Sequence, residues 1–264
     1  MDSLPRHPVL LPGLHVLERG DGEVQVGLDP ARAVVLPASD AVRRTLAVLR
    51  VAGPAADADA ESLHHLHRLG LVADAGRLPR PPVPRVVVHT FGATPWPDLL
   101  ERLRTVGLEL VPTTKIARIA LVAGVGEPDR DLLDPYVRDG VPHLVLRMTE
   151  GDAVVGPFVV PGRTACLRCI DAHHAADDAR WPLLVAQQAV RTSRLRDDAV
   201  PEPVDPALAQ LALGWAARDL FSRAAGRTPA SWSATIRLPP DLAEAEAVAW
   251  LRHPECGCWW NEPT

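Results

Sequence analysis

The chain has 264 residues, 47% of them apolar and 23% charged, and carries a net charge of −5. It is long enough for one large or two modest domains with a sizeable core. No Lys/Arg block marks a nucleic-acid footprint, no apolar run reaches the roughly 18 residues of a membrane span, and the segment Met1-Asp-Ser-Leu-Pro-Arg-His-Pro8 lacks the basic and apolar regions of a secretory signal. A cytoplasmic protein with no nucleic-acid or membrane partner is expected, and a reducing compartment favours metal-bound or free thiols over disulfides.

Residues 14–19 and 23–28 read as strands flanking the turn Gly20-Asp-Gly22, a hairpin signal, and residues 33–36 as a third strand. Ser39 or Asp40 caps a helix running to about Arg50, with Val42, Leu46 and Leu49 on one face. A second helix covers residues 59–69, with Leu63, Leu66 and Leu69 on its inner side. Three short strands and two or three helices make a winged-helix-like α+β module of residues 1–78, near the lower size at which a core holds alone. The proline-rich stretch of residues 77–85 cannot run as helix or inner strand, so residues 79–86 read as a linker.

From residue 87 to 264 strands alternate with helices, which implies an α/β domain on a parallel sheet. Strands are expected at residues 85–89, 108–111, 116–122 and 142–147, with helices at 97–106 and 129–139, the latter stopped by Gly140. Short strands at 152–155 and 158–160 lead to Pro161-Gly162. Long helices follow at 181–194 and 206–225, the second carrying Leu208, Leu211, Trp215, Leu220 and Phe221, and a strand at 231–238 closes the series.

All four cysteines fall in two tight pairs, Cys166/Cys169 and Cys256/Cys258. Two short-spaced thiol pairs on two turns supply the four tetrahedral ligands of a structural zinc, each about 2.3 Å from the metal. Two disulfides, a redox dithiol and plain buried thiols are the competing readings. His253 offers a substitute ligand or serves as a turn residue. His64, His65 and His67 point to two faces of one helix and read as solvated. His173 and His174 read as a loop or helix start, and Trp259 and Trp260 as packing over the metal turn or as a partner surface.

The runs Gly140-Val-Pro-His-Leu144, Gly156-Pro-Phe-Val-Val-Pro-Gly-Arg-Thr-Ala-Cys-Leu-Arg-Cys169 and His253-Pro-Glu-Cys-Gly-Cys258 resemble the ThiF/MoeB and ubiquitin-activating superfamily. More closely, the chain is similar to the ocin-ThiF-like proteins, the leader-peptide-binding partners of cyclodehydratases in thiazole/oxazole-modified peptide biosynthesis. The resemblance covers most of the chain and implies a peptide-recognition module followed by a reduced, Rossmann-like ThiF-type domain with a structural zinc. It also implies a precursor leader peptide and a YcaO-type cyclodehydratase or similar modifying enzyme as partners, and a homodimer.

The active members' ATP site is not matched. Their Gly-rich turn after the first strand becomes His89-Thr-Phe-Gly-Ala-Thr-Pro-Trp-Pro97, where Gly92 stands alone and Pro95 and Pro97 remove amide donors. Glu109 lies inside the second strand rather than after it, Gly124-Val-Gly126 reads as a plain turn followed by acids that repel phosphate, and Lys115 has none of the companions of a catalytic lysine. A non-catalytic recognition protein is therefore expected, taking a peptide as an added strand along its third strand. Val34, Leu36, Leu63, Leu66 and Leu69 are the candidate contacts. The alternative is an adenylating enzyme with an atypical nucleotide site.

Overall fold

The computed structural model describes residues 4–78, 82–93, 95–192, 200 and 202–258, and the chain divides into two compact units, residues 1–80 and 81–264. The first unit opens with β1 (Pro8–Leu10) and a meander of β2 (Val16–Gly20), β3 (Glu23–Val26) and β4 (Val34–Pro37). Asp21 and Gly22, at φ 50° and 77°, make the two-residue turn between β2 and β3, since a twisted hairpin needs left-handed backbone at both central positions. Ser39 accepts from the Val42 amide to start α1 (Asp40–Val51), and Asp59 accepts from the Ser62 amide to start α2 (Ala60–Arg68).

Val42, Leu46 and Leu49 of α1 and Leu63 and Leu66 of α2 close over Val24, Val26 and Leu36 as one core. Leu69, expected on the same inner side, is instead 46% exposed at the end of α2. Three-residue steps fall about 60° short of a full turn, so a run 63, 66, 69 drifts off the buried face. β5 (Val72–Asp74) pairs antiparallel with β1 in a separate two-stranded sheet. At three residues each, these strands are too short to show an alternation.

The second unit is a seven-stranded mixed sheet. β6 (Arg85–Phe91), α3 (Leu99–Thr105), β7 (Glu109–Leu110), β8 (Ile119–Val125), α4 (Arg130–Arg138) and β9 (His143–Thr149) build its parallel part. β10 (Asp152–Val159) folds back antiparallel on β9. After α5 (Leu167–Asp177), α6 (Trp181–Thr192) and α7 (Pro206–Ala224), β11 (Ala234–Leu238) and β12 (Glu246–Ala249) extend the antiparallel side, giving the order β12-β11-β10-β9-β8-β6-β7. One face is covered by Leu99 and Leu103 of α3 and by Leu208, Leu213 and Leu220 of α7. The other is covered by Leu133 and Tyr136 of α4 and by Leu167 and Ile170 of α5. With both faces buried, β8 is apolar throughout, as a central parallel strand must be.

Several boundaries differ from the sequence expectation. β8 starts at Ile119, three residues later than expected, and runs through Gly124, so Gly124-Val-Gly126 begins inside the sheet instead of forming a turn. The two short strands expected after residue 152 are one strand whose pairing with β9 shifts between Val155 and Phe158. On α7, Leu211 is exposed while Leu213 is in the core. The residues after Cys166 form α5, which places His173 and His174 on its last turns, not in a loop. Trp259 and Trp260 lie outside the described residues.

Candidate metal centre and the ends of the sheet

The sequence Pro161-Gly-Arg-Thr-Ala-Cys166 turns the chain out of β10 and into α5. The Thr164 hydroxyl accepts from the Val160 amide at 2.7 Å, and the Cys166 carbonyl accepts from the Cys169 and Ile170 amides at 3.0 and 3.2 Å. This first helical turn sets Cys166 and Cys169 on one side. The second pair arrives on the turn Pro254–Cys256, where His253 accepts from the Glu255 amide at 3.3 Å. Gly257 at φ 77° lets the chain reverse between Cys256 and Cys258, a left-handed conformation that suits glycine. Ser233 ties the two turns together: its hydroxyl accepts from the Ala165 amide and donates to the Trp250 carbonyl, both at 2.8 Å.

All four sulfurs lie within 4.8 Å of one another. Cys166 stands 3.8 Å from Cys169 and 3.4 Å from Cys256, and Cys169 stands 3.5 Å from Cys258. Disulfide sulfurs sit at about 2.05 Å, so these are four free thiols. Ligands about 2.3 Å from a tetrahedral zinc define an edge of about 3.8 Å. The three edges named above match that size to within a few tenths of an ångström, and the donor set can hold a metal ion and is consistent with zinc. His253 is not in the cluster and acts as the cap of its turn.

Four sulfurs packed this closely pull one another's proton affinities in opposite directions. The hydrogen bond from Cys166, with those from Cys256 and Cys258, pushes the Cys169 thiol well below its ordinary value. Cys166 is pushed up, first by its hydrogen bond with Cys169, and Cys258 first by that with Cys166, while on Cys256 the contact with Cys166 works downward but those with Cys169 and Cys258 push it up. A divalent cation removes that conflict by taking all four as thiolates.

The carboxyl ends of the parallel strands are where an open α/β sheet presents its ligand crevice, at the point where the strand order reverses. Here that point lies between β6 and β8, and the strands stay paired to their ends. Phe91 faces Gly124 in register, and the Val125 amide bonds to the Ala93 carbonyl at 3.0 Å. A Cβ on Gly124 would lie 2.0 Å from the Phe91 carbonyl oxygen, so only glycine allows the two backbones this close. The chain then buries Trp96 in the main core, its indole donating to the Ala209 carbonyl of α7 at 2.8 Å. Glu109 is ion-paired with Arg85 at 3.0 Å on the surface, and Lys115 is exposed.

A buried ion network sits just beyond, and no sequence signal had pointed to it. Arg130 at the start of α4 holds Asp171 of α5 at 2.7 and 2.9 Å and Glu127 at 3.0 Å, and Glu127 also lies 2.9 Å from Nε of Arg147 on β9. Burial works against the charge on Arg130, but the hydrogen bond to Asp171 and the charge of Glu127 hold its guanidinium above its ordinary value. Burial pulls Arg147 down, with Glu127 opposing. The Arg147 Nε contact is off the hydrogen-bond direction, and its Nη1 has no hydrogen-bond partner among the described residues.

In the first unit, Leu36, Leu63 and Leu66 are buried in the core, Val34 is half-buried against it, and Leu69 is exposed. β4 is an edge strand. The Ala38 amide bonds to the Gly22 carbonyl, so by antiparallel alternation Leu36 and Val34 bond to β3 while Val35 turns its N–H and C=O outward. His64 and His65 are exposed and His67 half-buried.

No protein-family model matches the chain. No curated protein matches it either. Among solved structures, the heterocyclase TruD superposes with a TM-score of 0.70 at 16% identity, over 96% of this chain and 43% of that one. A heterocyclase in complex with substrate and cofactor gives 0.66 at 14% identity, over 95% and 39%. MccB of E. coli, solved with AMPCPP and MccA, gives 0.59 at 13% identity, over 96% and 99%. The chain shares their fold. It spans 43% and 39% of the two heterocyclase chains, and nearly the whole of MccB.

Proposed function

We propose that this protein is a non-catalytic, leader-peptide-binding scaffold in the biosynthesis of a thiazole/oxazole-modified, bacteriocin-like peptide, presenting a precursor to a partner cyclodehydratase of the YcaO type. In this reading the first unit is a winged-helix-like recognition module and the second a reduced, Rossmann-like ThiF-type domain held by structural zinc on Cys166, Cys169, Cys256 and Cys258. The observation that carries it is the paired, sealed end of β6 and β8. A phosphate site there needs backbone amides turned toward a ligand, but the Val125 amide is spent on Ala93, and Trp96 fills the core behind them.

Fold similarity to heterocyclases supports the pathway assignment. The open edge of β4 supports strand addition. With Leu36, Leu63 and Leu66 committed to the core, a peptide strand would meet Val34, Val35 and Pro37 along the edge and Leu69 at the helix end. Titration of a labelled leader segment from a short Cys/Ser/Thr-rich precursor encoded nearby tests this reading, and no binding at high micromolar concentration would sink it. The second reading, an adenylating enzyme, is favoured by one observation: MccB, matched over 99% of its length, has been solved with ATP. Calorimetric ATP binding together with pyrophosphate exchange would establish it in place of the first.

A further inference from the structure

The cysteine cluster has one open side. Cys166, Cys169 and Cys258 are buried, Cys169 completely, whereas Cys256 is half-buried. Two separate cavities reach Cys256. One, of about 290 Å³, lies between α4 and the cluster and is floored by Leu133, Val137 and His143; the other, of about 880 Å³, lies between α5 and α6. Cys169 lines neither of them. Arg168 lines both cavities, its guanidinium held by Asp131 and Asp134. The Cys256 sulfur stands 3.4 Å from that of Cys166.

We propose that Cys256 is the entry point for small electrophiles and peroxides, and that its oxidation joins it to Cys166 and opens the metal centre. The Cys256 thiolate attacks the O–O bond of hydrogen peroxide, giving a sulfenic acid and hydroxide. The Cys166 thiolate then attacks the sulfenic sulfur, forming the S–S bond and expelling a second hydroxide. Two thiolates have lost two electrons to the peroxide, two protons convert the hydroxides to water, and a bound cation is left with two of its four ligands. The order of attack follows from access: Cys256 is half-buried and lines both cavities, Cys166 and Cys258 are buried and line only the smaller one, and Cys169 lines neither. The release step rests on the zinc reading, whereas the order of thiol reactivity does not.

The test uses the full chain in two forms. On the metal-loaded protein, one equivalent of peroxide is added with a chromogenic chelator, and the disulfides are mapped by mass spectrometry. The expected product is Cys166–Cys256, formed in step with one metal released. A Val137→Trp variant that fills the smaller cavity, with unchanged metal content, is expected to release metal at least threefold more slowly. On the metal-free protein, limiting maleimide is expected to label Cys256 at least tenfold faster than Cys169. First labelling of Cys169 or Cys258, or a first disulfide between those two, overturns the proposal. Absence of metal from the purified protein overturns the zinc reading instead, and the labelling order then decides the access argument alone.

Discussion

Replacing Glu127 by Gln removes the carboxylate that faces Arg147, and the cost follows from the burial of the pair. The side chains are 15% and 12% exposed and 2.9 Å apart. At an effective dielectric constant of about 20, their attraction is about 6 kcal/mol before desolvation. Arg130 keeps Asp171 in the variant, but Arg147 is left with a neutral amide and no other carboxylate within ion-pair distance among the described residues. Breaking one side of a buried pair costs about 3–5 kcal/mol, whereas replacing both sides by well-packed groups is often neutral. Glu127→Gln is therefore expected to lose about 3 kcal/mol in urea unfolding, and the double variant Glu127→Gln with Arg147→Met to fall within about 1 kcal/mol of the parent. A loss below about 1 kcal/mol in the single variant, or a double variant no better than the single, would refute the view that this network is a closed structural unit.

Asp219 accepts from the Ala230 and Ser231 amides at 2.9 Å each and from the Ser231 hydroxyl while buried; Asp219→Ala leaves those donors unpaired and should cost about 2–4 kcal/mol by the same measurement. Purified protein should hold one zinc per chain by elemental analysis, and a strong chelator should lower its melting temperature by more than 10 °C, given that such sites contribute on the order of 10 kcal/mol in small domains. Burial pushes His143 down to about 4 from 6.5. The unfolded chain therefore takes up its proton first, and stability present above pH 6.5 is lost between pH 6.5 and 4, about 2 kcal/mol of it by pH 5. His143→Asn should flatten that part of the profile relative to the parent. Val35→Pro removes an outward-facing N–H from edge strand β4 without touching its pairing to β3, so the binding reading expects at least a tenfold loss of leader affinity with urea unfolding changed by less than about 1 kcal/mol.

Much of this protein is written in local sequence. The hairpin turn at Asp21-Gly22, the capped starts of α1 and α2 and the apolar run of β8 follow from turn chemistry and periodicity, which act over a few residues. The two cysteine pairs were equally plain, because two short spacings that use every thiol in the chain are a strong signal. What they do together was not. Cys166 and Cys256 are 90 residues apart, and only the return of β11 and β12 beside β10, fastened by Ser233 to Trp250, decides that their sulfurs share one centre rather than forming two separate dithiols. The helix α5 was hidden because its cysteine and histidine residues carry no amphipathic pattern, and the Glu127, Arg130, Arg147 and Asp171 network because each member looks like a surface charge until the ends of β8, β9 and α4 enclose it. Spacing along the chain supplied the donors, and tertiary packing alone set their distances and left Cys256 as the one sulfur that two cavities can reach.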